Sequence, residues 1–215
     1  SRILRYMGYF LSVFAPAIYV ALTTFHQELI PTRLLISISA AREGTPFPAL
    51  VETLILVFSF EILREAGLRL PRPVGQAVSI VGALVMGEAA VSAGLVGAPM
   101  VITVALTAVS GFLVPQQNES ISILRILMLI LGGILGGYGI TIGILTIMIH
   151  LASLKSFGVP YFLGVAPSQK ESLKDSLIRF PLWSMVLRPK DIAGKDVVRR
   201  RNVSPSFIGE QKKEG

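Results

Sequence analysis

The chain has 215 residues, of which 52% are hydrophobic and only 15% are charged. Because soluble domains are usually about a quarter charged, this composition excludes an ordinary soluble domain and predicts an integral membrane protein. The 20 basic residues outnumber the 13 acidic ones, but residues 154–215 hold 12 of the basic and 6 of the acidic residues. We therefore interpret the basic tail as a marker of the cytoplasmic side of a membrane, not as a nucleic-acid site.

Five hydrophobic stretches predict an all-α, polytopic membrane protein with about four to six membrane-embedded helices. They are residues 7–25 (span A), 47–66 (span B), 74–95 (span C), 98–114 (span D) and 123–153 (span E). Residues 26–48 are too polar to cross a bilayer. Their middle is expected to form a short amphipathic helix at the interface, although the alternation in "LLISISA" also fits a strand.

Span E is too long for a single crossing, since its 31 residues would form about 46 Å of helix against a bilayer core of about 30 Å. Its segment "GGILGGYG" predicts a bend, a re-entrant break or a gating hinge. Five crossings would put the two ends of the chain on opposite sides, against the positive-inside tendency. We therefore expect span D or span E to be re-entrant or doubled, with both termini in the cytoplasm.

The predicted organisation has three parts. Residues 1–153 form a transmembrane helical domain, and residues 154–190 form a cytoplasmic juxtamembrane segment with a short amphipathic helix in "SQKESLKDSLIRF". Residues 191–215 form a disordered basic tail. The sequence starts without Met, which leads us to expect a fragment of a longer protein.

Catalytic and metal-binding motifs are missing from the sequence. It has no HExxH, GxSxG, P-loop or dinucleotide fingerprint, and it contains no cysteine. His26 and His150 are single and far apart in sequence. We therefore expect no catalytic activity, no metal site and no cofactor.

Glu88 is the carboxylate of spans B and C that lies nearest to the middle of the bilayer. It is about 5 Å of helical rise from the midpoint of span C, where a charge costs about 3 kcal/mol or more. Its own helix face includes Ser92. In an oligomer, such a face would place a ring of carboxylates along an ion path. A neutral Glu88 hydrogen-bonded to a neighbouring helix and a proton-coupled site are the alternatives.

Two seams of small residues predict close helix packing, with a gating hinge as the alternative in span E. Glu88 lies about 100° around the helix from the seam of span C, so that helix can pack by one face and present Glu88 on another. The seam of span C is Ala83, Gly87, Ala90 and Gly94, and that of span E is Gly132, Gly136, Gly139 and Gly143.

Two further carboxylates, Glu52 and Glu61, lie toward opposite ends of span B. Each is expected either to reach the interface or pair with an arginine, or to stand at a pore mouth. Glu61 and Arg64 are three residues apart and can pair on one helix face. Glu52 and Glu61 are about 180° apart around the helix, so they cannot both face one lumen.

Two polar sites complete the candidates. Arg42 and Glu43, in "AREGTPFP", form either a local ion pair or part of a loop that contacts a partner or lines an entry vestibule. Thr103 and Thr107 lie on one face of span D, and either line the ion path or bond to their own helix backbone.

Three long segments resemble the A-subunit family of bacterial spore germinant receptors, the GerA type. They are "TTFHQELIPTRLLISISAAREGTPFPALVE", "FEILREAGLRLPRPVGQAVSIVGALVMGEAAV" and "LKSFGVPYF", and the resemblance extends over about residues 1–190. Paralogues encoded with dipicolinic-acid transport genes share the same motifs. The family's large soluble N-terminal region is missing from this sequence.

The resemblance implies a subunit of the spore inner membrane that responds to nutrients together with a transporter-like B subunit and a lipoprotein C subunit. It also implies a homo-oligomer, embedded in membrane lipids, that forms or gates an ion-conducting path. Two alternatives stay open, a non-conducting scaffold that docks the transporter-like partner and a secondary transporter. No repeat relates spans A–B to C–D, which disfavours the inverted-repeat transporters.

Overall fold

The computed structural model describes residues 2–156 and 159–161. Seven α-helices dominate them: α1 Arg2–Thr24, α2 Thr32–Arg42, α3 Ala49–Leu68, α4 Arg72–Ser92, α5 Ala98–Gly111, α6 Asn118–Leu135 and α7 Gly137–Ser153. A short antiparallel pair, β1 Lys155–Ser156 and β2 Val159–Pro160, follows them. Apart from this pair, the described residues agree with the all-α prediction. The amphipathic helix predicted in residues 168–180 and the basic tail lie outside the described residues.

Two helical stretches are long and apolar enough to cross a bilayer, Arg2–Thr24 and Pro115–Leu135. The helices of spans B, C and D are less clear candidates, because α3 contains four charged residues and the apolar parts of α4 and α5 are shorter, at Ala77–Ser92 and Ala98–Gly111. A helical architecture is thus established for this part of the chain, and the number of crossings stays a prediction.

The polar segment between spans A and B contains α2, so the alternative prediction of a strand there is wrong. Pro31 stands just before the first residue of α2, where a proline is tolerated because no helical N–H is lost. The helix is exposed to solvent or lipid along most of its length, and no residue in it is buried.

Span E is broken into two helices at Gly136, whose φ of +62° is a conformation that glycine adopts readily and other residues rarely do. A β-carbon there would also lie 2.9 Å from the Phe25 side chain. After the break, α7 folds back against α6, with Gly132 facing Ile140 and Gly143 facing Met128. Span E therefore contains two helices, and the prediction that it is re-entrant or crosses the bilayer twice stays a prediction.

The hydrophobic core lies between α1, α3, α5 and α6. Helix α4 packs on α3 as an antiparallel hairpin, in which the backbones of Gly67 and Gly75 meet with no room for a β-carbon. The Ser79 hydroxyl donates a hydrogen bond to the Leu63 carbonyl oxygen at 3.2 Å and so fixes the register of the pair. The core residues are Val20, Ala49, Leu56, Val57, Val96, Met100, Val104 and Leu129.

The helix ends of residues 3–144 gather in two groups, which we name the Arg64 end and the Arg42 end. The Arg64 end contains the α3–α4 and α5–α6 connections and the start of α1, since Gly8 packs against Leu113. The Arg42 end contains α2, the α4–α5 connection and the α6–α7 break. Residues 3–144 form one compact unit, and the described residues from Leu145 onwards belong to a second, so the division falls within α7.

Candidate functional site

Glu61 of α3 lies in a buried cluster of charged and hydroxyl side chains, the Arg125 cluster (Ser12, Glu61, Arg64, Ser122 and Arg125). One carboxylate oxygen of Glu61 lies 2.9 Å from Nη1 of Arg125, and the other lies 2.6 Å from Nη2 of Arg64. The same Arg64 nitrogen donates to the Ser122 hydroxyl at 2.6 Å. The cluster therefore joins α3 to α6 through charge-assisted hydrogen bonds.

Arg125 is the central side chain of this cluster, with only 1% of its surface exposed. Its Nε donates to the Ser12 carbonyl oxygen at 2.8 Å, and its Nη2 donates to the Ser12 hydroxyl at 3.0 Å. An arginine fits this position because its planar group offers several donors in fixed directions. Arg125 is not among the candidates predicted from the sequence, although a single arginine inside the apolar run "ISILRILML" is a signal for a buried partner.

Glu52, near the start of α3, is completely buried and belongs to a second cluster at the opposite end of the helix. Its Oε2 lies 3.3 Å from Nη2 of Arg42, and its Oε1 accepts a hydrogen bond from the backbone N–H of Gly97. Glu52 therefore ties α3 to the end of α2 and to the α4–α5 connection. Arg42 therefore pairs with Glu52, while its sequence neighbour Glu43 is exposed.

Glu88 has neither an ion pair nor a hydrogen bond among the described residues. It lies on the outward face of α4, and its side chain is exposed. The apolar side chains beside it are exposed as well, with Val81 at 57% and Leu84 at 69%. Ser92, on the same face, is also exposed. The fold thus leaves one carboxylate on an apolar surface that no other helix of the unit covers.

The seam of α4 faces the other way from Glu88. Gly87 is buried, and a β-carbon there would lie 2.8 Å from Cγ1 of Val101 on α5. Ala83 lines a groove between α3, α4 and α5, and Ala90 packs against the core. Gly94 ends the helix with a φ of +68°.

The seam of span E mediates the close approach of helices. Gly132 meets Ala17 of α1, where a β-carbon would lie 3.0 Å from the carbonyl oxygen. Gly139 lies against the Leu131 backbone, with no space for a β-carbon, and Gly143 lies against Met128.

The hydroxyls of α5 bond to their own helix. Thr103 donates to the Pro99 carbonyl oxygen at 2.9 Å, and Thr107 donates to the Thr103 carbonyl oxygen at 2.7 Å. Thr107 is buried against neighbouring helices. Both hydroxyls therefore bond to their own helix backbone, and a role of these threonines in an ion path stays a prediction. Over residues 2–156 and 159–161, no group of three histidine, aspartate or glutamate side chains is placed to hold a metal ion.

Comparison with known proteins gives consistent matches. A family profile described as "Bacillus/Clostridium GerA spore germination protein" matches residues 1–191. Spore germination protein KA of Bacillus subtilis (strain 168) is 53% identical over 201 residues, which cover 93% of this chain and 37% of that protein. From the same organism, the uncharacterized membrane protein YfkQ is 51% identical over 190 residues, 87% of this chain and 37% of YfkQ. No solved structure matches the chain significantly.

A third relative, spore germination protein B1 of Bacillus subtilis (strain 168), is 41% identical over 202 residues, covering 93% of this chain and 42% of that protein. The chain therefore spans about two fifths of the length of these relatives. The match to the family profile extends from α1 through all seven helices. The chain belongs to the GerA family of Bacillus and Clostridium spore germination proteins.

Proposed function

We propose that this chain is the membrane region of a germinant receptor A subunit that assembles into a homo-oligomer around an ion path in the spore inner membrane. The family membership supports a role in spore germination. In this proposal, a nutrient acts through a transporter-like B subunit and a lipoprotein C subunit. Binding shifts a closed bundle toward an open one, ions leave the spore, and no catalytic step is involved.

The observation that carries the proposal is the contrast between Glu88 and its surroundings. A carboxylate exposed to lipid near the bilayer centre is unfavourable by about 3 kcal/mol or more. Glu88 has no ion pair within the described residues, so in this proposal water or another subunit solvates it. If copies of α4 surround a common axis, their carboxylates form a ring that attracts cations, as charged rings do in other cation channels.

Two other carboxylates of the unit, Glu52 and Glu61, fit a structural role in this proposal. Glu52 and Glu61 are paired with arginines, and both pairs tie α3 to its neighbours. The rigid helices would then present α4 and Glu88 in a defined position. Rigid support of a charged group keeps its geometry fixed while ions pass.

The charge distribution supports a cytoplasmic location for the Arg64 end. Arg5, Arg64 and Arg69 lie there, whereas Arg33 and Arg42 lie at the opposite end. Basic residues near the ends of membrane helices favour the cytoplasmic side. With span E split into α6 and α7, six crossings would place the N-terminus and the basic tail together in the cytoplasm.

Ion release from spores tests the proposal. We expect Glu88→Lys, introduced into the full-length protein, to abolish or strongly slow nutrient-triggered potassium release, because a ring of lysines repels cations. Glu88→Gln should slow it less, since it removes the charge but keeps a polar group. Release is measured from spores after addition of nutrient, together with the amounts of all three subunits.

Glu65→Lys is the matched control, because Glu65 is an exposed carboxylate whose one ion pair among the described residues is with exposed Arg69. It should release potassium normally. Normal release by both Glu88 variants at normal subunit levels would rule out the carboxylate ring.

A scaffold function is the second candidate, supported by an apolar groove beside the seam of α4. The groove has a volume of about 270 Å³ and lies between α3, α4 and α5, with Phe60, Ala83 and Gly87 in its lining. A helix of the B subunit that fills it would make this chain a docking platform. Loss of the B and C subunits from the membrane in the Glu88 variants would favour this function over conduction.

A further inference from the structure

A second cavity lies at the Arg64 end, away from Glu88 and from the groove of α4. It has a volume of about 720 Å³ and is formed by the end of α3, the start of α4, the end of α5 and the start of α6. Volumes between about 300 and 1,000 Å³ are typical of sites for small ligands. Its polar lining includes Arg64, Ser79, Gln116 and Asn118.

Two residues that line this cavity each carry a buried polar atom without a hydrogen-bond partner. Nε of Arg64 and Oδ1 of Asn118 are both buried, and neither has a partner in the part of the chain that the structure describes. Buried polar atoms are nearly always paired, with protein, water or a ligand. Rotation of these two side chains toward the cavity would let a bound group accept from the guanidinium and donate to the amide oxygen.

The charges of the Arg125 cluster, which borders the cavity through Arg64, do not balance, and the nearby Glu119 in the first turn of α6 is exposed. Arg64 and Arg125 share the single carboxylate of Glu61, so the buried cluster has one positive charge in excess among the described residues. The neighbouring Glu65 and Arg69 pair with each other and are exposed. Arg125 already donates from three nitrogens, to Ser12 and Glu61. The unbalanced charge is therefore available at Arg64, the arginine that lines the cavity.

We propose that this cavity binds a phosphate group of a small anion or of a lipid headgroup. A phosphate supplies the missing negative charge and accepts hydrogen bonds from Arg64, and a hydroxyl on the phosphate or on the headgroup donates to Asn118. The cavity is at the ends of four helices, the level at which lipid phosphates lie if these helices cross a bilayer. The site requires no ion path, so it is independent of the role of Glu88.

Binding is tested with the full-length protein in phosphatidylcholine nanodiscs. Radiolabelled inorganic phosphate, in equilibrium dialysis, reports a soluble anion. Native mass spectrometry after exchange into nanodiscs that contain phosphatidylglycerol reports a retained lipid. We expect saturable binding in at least one arm, weakened about tenfold or more by Arg64→Gln, because a charge-assisted hydrogen bond and a counter-charge are lost.

Asn118→Asp provides a second variant that keeps every residue of the Arg125 cluster. It places a negative charge in the cavity without removing an arginine, and a carboxylate suits the first turn of α6. The backbone carbonyl of residue 118 still accepts from the Ser122 hydroxyl. We expect this variant to fold and to lose binding by about tenfold or more, because its carboxylate repels the phosphate and itself pairs with Arg64.

Arg69→Gln is the matched control, since it removes one positive charge from the same end of α3 but does not line the cavity. It should change binding by less than about twofold, because its charge is exposed and screened. Phosphate binding alone assigns a soluble ligand, and lipid retention alone assigns a headgroup. Absence of both, or equal losses in Arg69→Gln and Asn118→Asp, would overturn the proposal.

Discussion

Helices α3 and α4 pack against each other, yet their carboxylates lie in opposite environments. The two innermost carboxylates of α3, Glu52 and Glu61, are bound by arginines from α2 and α6. Glu88 of α4 has no such partner in the part of the chain that the structure describes, and it is exposed among apolar side chains. The comparison separates a charge that holds the fold together from a charge whose partner has to come from outside the described unit.

The α3 clusters also differ from each other in what they connect. The Arg125 cluster joins three helices near the Arg64 end, and Arg125 is almost completely enclosed. The cluster around Glu52 joins α3 to the end of α2 and to the α4–α5 connection, and its arginine, Arg42, is 20% exposed. Substitutions in these clusters and at Glu88 should therefore have effects of different size.

The largest effect is expected for Arg125→Met, which keeps much of the side-chain volume but removes the charge and all three hydrogen bonds. Removal of one partner from a buried ion pair costs about 3–5 kcal/mol, because the remaining groups stay buried without compensation. Here the Ser12 carbonyl oxygen loses its donor and Glu61 keeps only Arg64. SDS-induced unfolding in mixed micelles measures the change in the free energy of unfolding.

Arg69→Met controls for the loss of a positive charge. Arg69 is 78% exposed and pairs with Glu65 at 3.6 Å, so its removal should change the free energy of unfolding by less than about 1 kcal/mol. Similar values for the two arginines would show that the Arg125 cluster does not stabilise the fold.

A smaller effect is expected for Glu52→Gln. The glutamine oxygen can still accept the hydrogen bond from the Gly97 N–H, but the negative charge opposite Arg42 is lost. A hydrogen bond to a charged group contributes about 1.5–3 kcal/mol, which sets the expected loss in the free energy of unfolding. The same unfolding measurement applies, with Glu43→Gln as the control because Glu43 is an exposed neighbour of Arg42. Equal stability of the two variants would contradict a role for the Arg42–Glu52 pair.

Local spacing allowed part of this arrangement to be predicted from the sequence. Glu61 and Arg64 lie three residues apart on one helix, so their pairing follows from helical geometry and is confirmed at 2.6 Å. The division of span E into two helices follows from its length and its glycines, although the sequence also allowed span D to be the doubled or re-entrant element. Both inferences depend only on neighbouring residues.

Long-range partners could not be predicted in the same way. Arg125 bonds to Ser12 and Glu61, which are 113 and 64 residues away, and such pairings depend on how the helices pack. For the same reason, the sequence predicts for Arg42 either an ion pair with its neighbour Glu43 or a place in a partner or vestibule loop. Its ion-pair partner in the fold is Glu52. The sequence does indicate that a buried charge needs a partner, but only the packing identifies that partner.

The smallest effect on stability is expected for Glu88→Leu in the isolated chain. Because Glu88 has no hydrogen bond or ion pair with the described residues, its removal should change the free energy of unfolding by less than about 0.5 kcal/mol. Glu61→Leu is the matched comparison, since the same substitution there leaves two arginines without their carboxylate. SDS-induced unfolding of both variants tests whether the contrast between α3 and α4 is energetic as well as geometric. A loss in the free energy of unfolding for Glu88→Leu as large as that for Glu61→Leu would show that Glu88 has a partner within the chain. Glu88 would then need neither water nor another subunit as its partner.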